Sequence, residues 1–189
     1  VSRDGRRFAE LQPGQRVGTS SLRRRAQLLR VNPGLQIADI RGNVDTRMGK
    51  LEQGRYDALV LAACGLQRAG WGASITEYLE PRLMLPAACQ GIIGMEARRN
   101  DRRITGLAAA VSHGPTLEIA ESERVFLHRL EGGCRVPIGC LASIQGGECM
   151  MSGLVARKRP HDGPIWEDDS IELFLGLGGT NYHLGVNPL

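Results

Sequence analysis

Short apolar runs alternate with helix-like segments over residues 16–70, and this alternation predicts a parallel sheet. The predicted strands are residues 16–19, the alternating segment 35–40 and the continuous apolar run 58–62. Apolar residues recur at helical spacing in 22–29 and 44–51, and a further short helix is predicted over 63–70. A βαβαβα order of this kind requires crossover connections, so the three strands are expected to run parallel.

Polar and breaking residues mark where these helices begin and end. Ser20 or Ser21 can cap the first helix, and Asn43 can cap the second. The Asn-Pro-Gly sequence at 32–34 ends the first helix, and Gly54 follows the end of the second.

The second half of the chain has a different pattern. Residues 85–96 are predicted as an extended crossover followed by a strand, and residues 101–112 and 116–130 as helices. Strands are predicted over 136–144 and 149–156, joined by a turn at Gly146-Gly147. This pattern indicates a small α+β module that begins near residue 115.

Composition narrows the class of protein. The chain is 42% hydrophobic and 23% charged, with no apolar run long enough for a membrane span, so a soluble globular protein with no membrane partner is expected. Its five cysteines are odd in number and lack the paired spacing of zinc sites, which indicates a reducing compartment and no metal.

Positive charge is concentrated at the start of the chain and is almost entirely arginine. Residues 1–56 hold 12 basic and 5 acidic side chains, and Lys50 and Lys158 are the only lysines in the sequence. Arginine grips carboxylate or phosphate through a planar fork of donors. Nucleic acid and a small polycarboxylate both fit this charge, but nucleic-acid binders usually add aromatic stacking, and aromatics are only 4% here. We therefore expect a small anionic ligand and no nucleic acid.

Arginines follow each of the three predicted strands, where ligands bind in open parallel sheets. The sequence Gly-Thr-Ser-Ser-Leu-Arg-Arg occupies 18–24, Arg-Gly-Asn-Val-Asp-Thr-Arg occupies 41–47, and a further arginine ends Gly-Leu-Gln-Arg at 65–68. The predicted anion-binding arginines are Arg23, Arg24, Arg41, Arg47 and Arg68. For Arg25, Arg30 and Arg55 an ordinary solvated position is favoured.

One cysteine lies in an unusual local sequence. Cys134 follows Gly132-Gly133 at the end of a predicted helix, and Pro137 follows shortly after it. Two glycines leave space beside the sulfur, and neighbouring Arg135 favours the thiolate. A covalently attached anionic group on Cys134 is the functional interpretation, and a structural cysteine at a helix end is the alternative. Cys89 is interpreted as a buried small residue and His128 as a helix-surface residue.

Taken together, these motifs resemble the porphobilinogen deaminase family, also called hydroxymethylbilane synthase. The resemblance rests on residues 18–24 and 41–47, on Gln90-Gly91, and on Leu-Glu-Gly-Gly-Cys-Arg-Val-Pro-Ile-Gly at 130–139, and it covers about residues 10–157. It implies a cytoplasmic transferase of porphyrin and heme biosynthesis. The family condenses four porphobilinogen units into the linear tetrapyrrole hydroxymethylbilane and releases ammonia.

The resemblance also implies a cofactor and a set of site residues. A dipyrromethane primer is expected on Cys134 through a thioether. Arg23, Arg24, Arg41 and Arg47, with Ser21 as a hydroxyl contact, are implied to bind its acetate and propionate groups. Arg68, Arg41 and Arg47 are implied to bind porphobilinogen.

The fold implied is a periplasmic-binding-protein-like parallel sheet domain followed by a small α+β domain. Residues 1–85 are expected to form the central domain, 86–114 a crossover strand and helix of a first domain that this sequence does not match, and 115–189 the C-terminal domain. The family's proton-handling aspartate lies in that first domain, so no catalytic residue is assigned here. Family members are expected to be monomeric, whereas an exposed strand edge at 86–99 favours association. The alternative function is a non-catalytic polycarboxylate-binding protein of the same fold.

Overall fold

A computed structural model describes residues 1–130, 137–158, 166–175 and 182–187, the last two ranges through their backbone. Cys134 lies outside the described residues. Two sheets are present in the described part, one parallel and one antiparallel. Within these ranges no helix combines the length and the apolar character needed to cross a bilayer.

The helices and strands alternate first and then separate along the chain. The strands are β1 (Arg16–Gly18), β2 (Gln36–Ala38), β3 (Ala58–Leu59), β4 (Ile138–Gln145), β5 (Glu148–Lys158), β6 (Trp166–Leu175) and β7 (Tyr182–Asn187). The helices are α1 (Leu22–Val31), α2 (Val44–Glu52), α3 (Ala63–Arg68), α4 (Arg102–Val111) and α5 (Gly114–Arg129).

The first three strands form a parallel sheet in the order β2-β1-β3, as the sequence predicts. Val17 in the central strand lies opposite Ile37 on one side and Ala58 on the other. The chain moves from β1 outward to β2 through α1, then back across β1 to β3 through α2. Right-handed crossovers in opposite directions place α1 and α2 on opposite faces of the sheet.

Each face of the parallel sheet has its own buried cluster. Leu28 of α1 packs with Val17 and with Phe8 and Leu11 from the chain before β1. On the other face, α2 and α3 contribute Met48, Leu51 and Leu66, which pack with Ile40, Tyr56 and Leu59. The sheet is therefore covered on both sides, which explains why residues 58–62 are apolar without alternation.

The C-terminal sheet is antiparallel, in the order β4-β5-β6-β7. Gly146 and Gly147, with φ of 60° and 83°, make the two-residue turn between β4 and β5, as predicted. The sequence does not predict β6 and β7. Helix α5 packs on β4 and β5 through Ile119 and Phe126, which contact Ala142 and Met151.

The strand expected within residues 85–96 is not formed. Residues 86–101 contain turns and extended chain but no strand. Ile93 and Met95 are exposed. The apolar sequence favours an extended chain here, but a strand also needs a hydrogen-bonded neighbour, and no described residue provides a ladder to this segment.

The two sheets meet at the start of this segment. The backbone N–H of Leu85 donates to Oε1 of Gln27 in α1 at 2.7 Å, and Nε2 of Gln27 donates back to the Leu85 carbonyl at 3.2 Å. One residue later, the Pro86 carbonyl accepts from the N–H of Cys140 in β4 at 3.0 Å. Ala26 of α1 packs with Leu154 of β5 beside the same contact. The segment at Leu85-Pro86 thus joins α1 to the antiparallel sheet.

This junction predicts a large effect at Gly139. A Cβ added there would lie 3.1 Å from Leu85 Cβ, 3.2 Å from Arg23 Cδ and 3.2 Å from the Pro86 carbonyl oxygen. Because backbone and a buried side chain must shift, we expect Gly139→Ala to lower the free energy of unfolding by about 1–3 kcal/mol, measured by urea denaturation.

The matched control is Gly106→Ala in α4. A Cβ at Gly106 meets no atom within 4 Å. The same substitution should therefore stabilise the chain by up to about 1 kcal/mol, because alanine restricts the unfolded state and favours helix. Equal effects of the two substitutions would show that the junction is not tightly packed.

Candidate functional site

The carboxyl ends of β1 and β3 border a cavity in the described structure. In the strand order β2-β1-β3, the connections leave β1 and β3 on opposite faces of the sheet, and ligands bind at such a switch point. The cavity there measures about 190 Å³. Val60, Leu61 and Pro86 are among its apolar walls, and Arg23, Arg24 and Gln90 are among its polar lining.

Arg24 crosses the switch point directly. Its Nη1 donates to the carbonyl of Val60, at the end of β3, at 2.8 Å. Burial lowers the pKa of Arg24, and the positive charge of Arg47 lowers it further. Two like charges therefore face each other at the edge of the cavity, an arrangement that an anion between them would stabilise.

Arg23 lies on the adjacent, buried side of the same helix and is 6% exposed. Its Nη1 donates to the carbonyl of Leu85, and its Nη2 lies 3.4 Å from Oε1 of Gln90. Burial and the neighbouring Arg24 lower the pKa of Arg23 from 12.5 to about 10, so the guanidinium is still charged at pH 7. In this structure Arg23 therefore braces the Leu85 segment as well as lining the cavity.

Ser21 is the residue that caps α1, one of the two candidates that the sequence offers. Its Oγ accepts from the backbone N–H of Arg24 at 3.4 Å. The hydroxyl proton is not used by that bond, so Ser21 can still donate to a carboxylate.

The second arginine motif lies beside the first because of Ser20. The Ser20 Oγ lies 2.8 Å from the carbonyl oxygen of Ile40 and 2.9 Å from its nitrogen, so one hydroxyl pairs with both backbone groups of that residue. Asn43 then caps α2 by accepting from the N–H of Thr46 at 2.8 Å. These bonds place Arg41 and Arg47 next to the turn that precedes α1.

Gly42 has to be glycine for this turn to form. Its φ is 117°, and a Cβ there would lie 2.7 Å from Thr46 Cγ2. Its carbonyl accepts from Nε of Arg47 at 2.8 Å, which leaves the terminal nitrogens of Arg47 available. Arg41 is exposed.

Arg68 is placed differently from the other four predicted arginines. It ends α3, whose first residue, Ala63, lines the cavity, and its own side chain is exposed and outside that lining. The structure thus brings Arg23, Arg24 and Arg47 together and leaves Arg68 at the outer end of a short helix.

Ion pairing separates the predicted arginines from several others. Within the described residues, ion pairs join Arg3 to Asp57, Arg6 to Asp4 and Arg25 to Asp39. Arg25, expected to be solvated, is instead partly buried against Asp39 and the Ile37 carbonyl. Among those same described residues, no carboxylate pairs with any of the five predicted anion-binding arginines: Arg23, Arg24, Arg41, Arg47 and Arg68.

The loop that carries Cys134 lies outside the described residues, but both of its flanks are described. Helix α5 ends at Arg129, and β4 begins at Ile138. Gly139 packs against Arg23, so the strand that follows the loop reaches the arginine side of the cavity.

Sequence reasoning missed three polar residues that hold this region together. Gln27 and Gln90 contact the Leu85 segment and Arg23. Glu123 of α5 is 3% exposed, and its two carboxylate oxygens accept from the N–H groups of Cys89 at 2.5 Å and Ala142 at 2.8 Å. A signal existed for Gln27, since it lies four residues after Arg23 and therefore on the same side of α1.

The described cysteines near the cavity are poor nucleophiles. Cys140 is fully buried, and burial, with the negative charge of Glu123, raises its pKa to about 12. Cys89 is partly buried, in a left-handed conformation with φ of 58°, and desolvation followed by Glu123 raises its pKa as well. Cys89 is therefore less enclosed than the sequence suggested, although its thiol is unreactive as expected. His128 is exposed on α5, as predicted.

Two family models match the chain. The model described as "Porphobilinogen deaminase, dipyromethane cofactor binding domain" matches residues 1–106. The model described as "Porphobilinogen deaminase, C-terminal domain" matches residues 117–162, a range that contains Cys134.

Curated relatives carry the same family name. Porphobilinogen deaminase of Roseiflexus castenholzii is 49% identical over 82% of this chain and 51% of its own length. The protein of that name from Syntrophobacter fumaroxidans is 48% identical over 82% of this chain and 50% of its own length. The one from Bacillus cereus is 49% identical over 76% and 47%. The chain thus spans about half the length of the curated relatives it matches.

The pKa values of the buried thiols predict the order in which cysteines react. With a pKa of about 12, Cys140 is almost wholly protonated at pH 8, and only the thiolate is alkylated. We expect iodoacetamide at pH 8 to leave Cys140 unlabelled in the folded chain, measured by peptide mass mapping. In guanidinium chloride all five cysteines should be labelled. Rapid labelling of Cys140 without denaturant would contradict the buried placement.

Proposed function

The chain belongs to the porphobilinogen deaminase family, and we propose that it supplies the cofactor attachment site and most of the carboxylate-binding arginines of such an enzyme. The activity proposed is that of a transferase, the condensation of four porphobilinogen units into hydroxymethylbilane with release of ammonia, in porphyrin and heme biosynthesis in the cytoplasm. The observation that carries this proposal is the group of motif arginines that no carboxylate pairs with in the described residues.

The chemistry of the site fits a dipyrromethane cofactor. Acetate and propionate side chains require several cationic donors, and Arg24 and Arg47 face each other with mutually unfavourable charge. Pyrrole rings require apolar walls, and Val60, Leu61 and Pro86 provide them in the same cavity. When bound, a dipyrromethane supplies the pyrrole carbon onto which further porphobilinogen units are joined.

The residues of this chain have separable roles in the proposal. Cys134 would hold the cofactor through a thioether, since Cys140 and Cys89 have raised pKa values and lack thiolate at neutral pH. Arg23 and Arg24, with the hydroxyl of Ser21, would bind carboxylates of the cofactor at the start of α1. Arg41 and Arg47 would bind carboxylates of both cofactor and incoming porphobilinogen. Arg68 would bind porphobilinogen from the outer end of α3, at the rim of the site.

The same proposal includes the organisation of the chain. The strand order β2-β1-β3, with helices on both faces, supports a periplasmic-binding-protein-like central domain over residues 1–85. Residues 115–189 form the proposed C-terminal domain, and 86–114 connect to the family's first domain. Exposed Ile93 and Met95 support an association of this connecting segment with further polypeptide.

Replacing the proposed attachment cysteine should abolish cofactor attachment. We expect the intact mass of the chain to include a dipyrromethane adduct, which maps to the peptide containing Cys134 and is absent in Cys134→Ser. Cys64→Ser serves as the control, because Cys64 is also a partly exposed thiol, and should keep the adduct. An adduct that survives Cys134→Ser would refute the assignment.

The arginine motif should depend on the shape of the guanidinium and not on charge alone. Because lysine cannot form the two-pronged contact with a carboxylate, Arg41→Lys and Arg47→Lys should each weaken porphobilinogen binding by about tenfold, measured by calorimetric titration. Arg55→Lys is the matched control: Arg55 is exposed and precedes β3, so it lies at the opposite end of the sheet from the cavity. An equal loss in Arg55→Lys would show that general charge, and not this site, binds the ligand.

A further inference from the structure

The motif Arg41–Arg47 contains a carboxylate that is out of place in an anion-binding site. Asp45 lies four residues after Arg41 and two before Arg47. A carboxylate so close along the chain is a natural partner for either arginine, and it would then compete with any carboxylate ligand. Within the described residues, however, Asp45 forms no ion pair.

The partner of Asp45 is instead an indole. Nε1 of Trp71 donates to Oδ1 of Asp45 at 2.7 Å. Trp71 follows α3 and packs with the cluster of α2 and α3 that includes Met48 and Leu66. The indole is therefore held by apolar packing, and its N–H is presented to the carboxylate from a fixed position.

The position of Asp45 in its helix adds to the effect. It lies in the first turn of α2, where unpaired backbone N–H groups favour a negative charge. The helix end and the Trp71 N–H together stabilise the ionised carboxylate without the help of an arginine. The arginines of the motif are thereby left for a ligand.

We propose that Trp71 withholds the Asp45 carboxylate from the motif arginines, so that Asp45 does not act as an internal competitor of the substrate's carboxylates. This inference rests on the proposed function, because it concerns the affinity of that same site for porphobilinogen. It assigns to Trp71 and Asp45 a positioning role, with no direct contact to the reacting atoms.

The test is a set of variants in which the charge and the hydrogen bond are removed separately. Trp71→Phe keeps the apolar packing and releases a charged Asp45. We expect it to raise the Kd for porphobilinogen by about two- to fivefold, the size of effect expected for an exposed ion pair that forms in competition. Asp45→Asn keeps an acceptor oxygen for Trp71 and removes the charge, so its Kd should equal or fall below that of the parent chain.

The decisive measurement is the double variant Trp71→Phe with Asp45→Asn. A neutral amide cannot compete for an arginine, so the double variant should regain the parent Kd even though the hydrogen bond is lost. A merely structural role of Trp71 would leave the double variant as weak as Trp71→Phe. Glu52→Ala is the matched charge control, because Glu52 is an exposed acid at the other end of α2. It should not restore binding to Trp71→Phe.

Each outcome has a distinct meaning. A parent Kd in Trp71→Phe, or a double variant without recovery, would overturn this inference and leave the proposed function intact. No saturable binding of porphobilinogen by the parent chain would overturn the proposed function, and this inference with it. Circular dichroism melting of every variant separates loss of binding from loss of fold.

Discussion

The architecture depends on how one short connecting segment satisfies its backbone. Residues 84–90 belong to neither sheet, yet they pass between the two, and buried polar backbone groups must be paired. Side chains provide the partners: Gln27 bonds both backbone groups of Leu85, and Glu123 accepts from Cys89. Because Glu123 also accepts from Ala142 in β4, the same segment fixes the antiparallel sheet against α1. The placement of the cysteine loop's flanks relative to the arginines follows from this one connection.

That connection also explains why Arg23 is buried while still charged. The helix that begins at the cavity must pack its next turn against Leu85 and Gly139, so Arg23 is enclosed by the junction. Burial alone would favour a neutral side chain, and a carbonyl oxygen compensates only part of the lost hydration. The neighbouring Arg24 adds repulsion. A site built in this way is less stable empty than filled, since an anion supplies the charge that the protein does not.

Local chemistry determined how much could be predicted from the sequence. Helix caps at Ser21 and Asn43 and the Gly146-Gly147 turn depend on neighbouring residues, and the structure confirms all three. The parallel order followed from the alternation of strands and helices. The strand expected near Ile92 was wrong because a strand depends on a distant partner that no local pattern reveals. Gln27 and Glu123 were missed for the same reason, since their partners are backbone groups far along the chain.

The relation between Asp45 and Trp71 shows why a motif is more than its arginines. Residues 41–47 carry two positive charges and one negative charge, and taken alone they form a self-paired turn as readily as a binding site. What separates the two outcomes is a side chain 26 residues further along, donated by the chain that follows α3. Both helices lie on the same face of the sheet, and their shared apolar cluster sets the distance between them. Packing in the core thus determines which charges at the surface are available to a ligand.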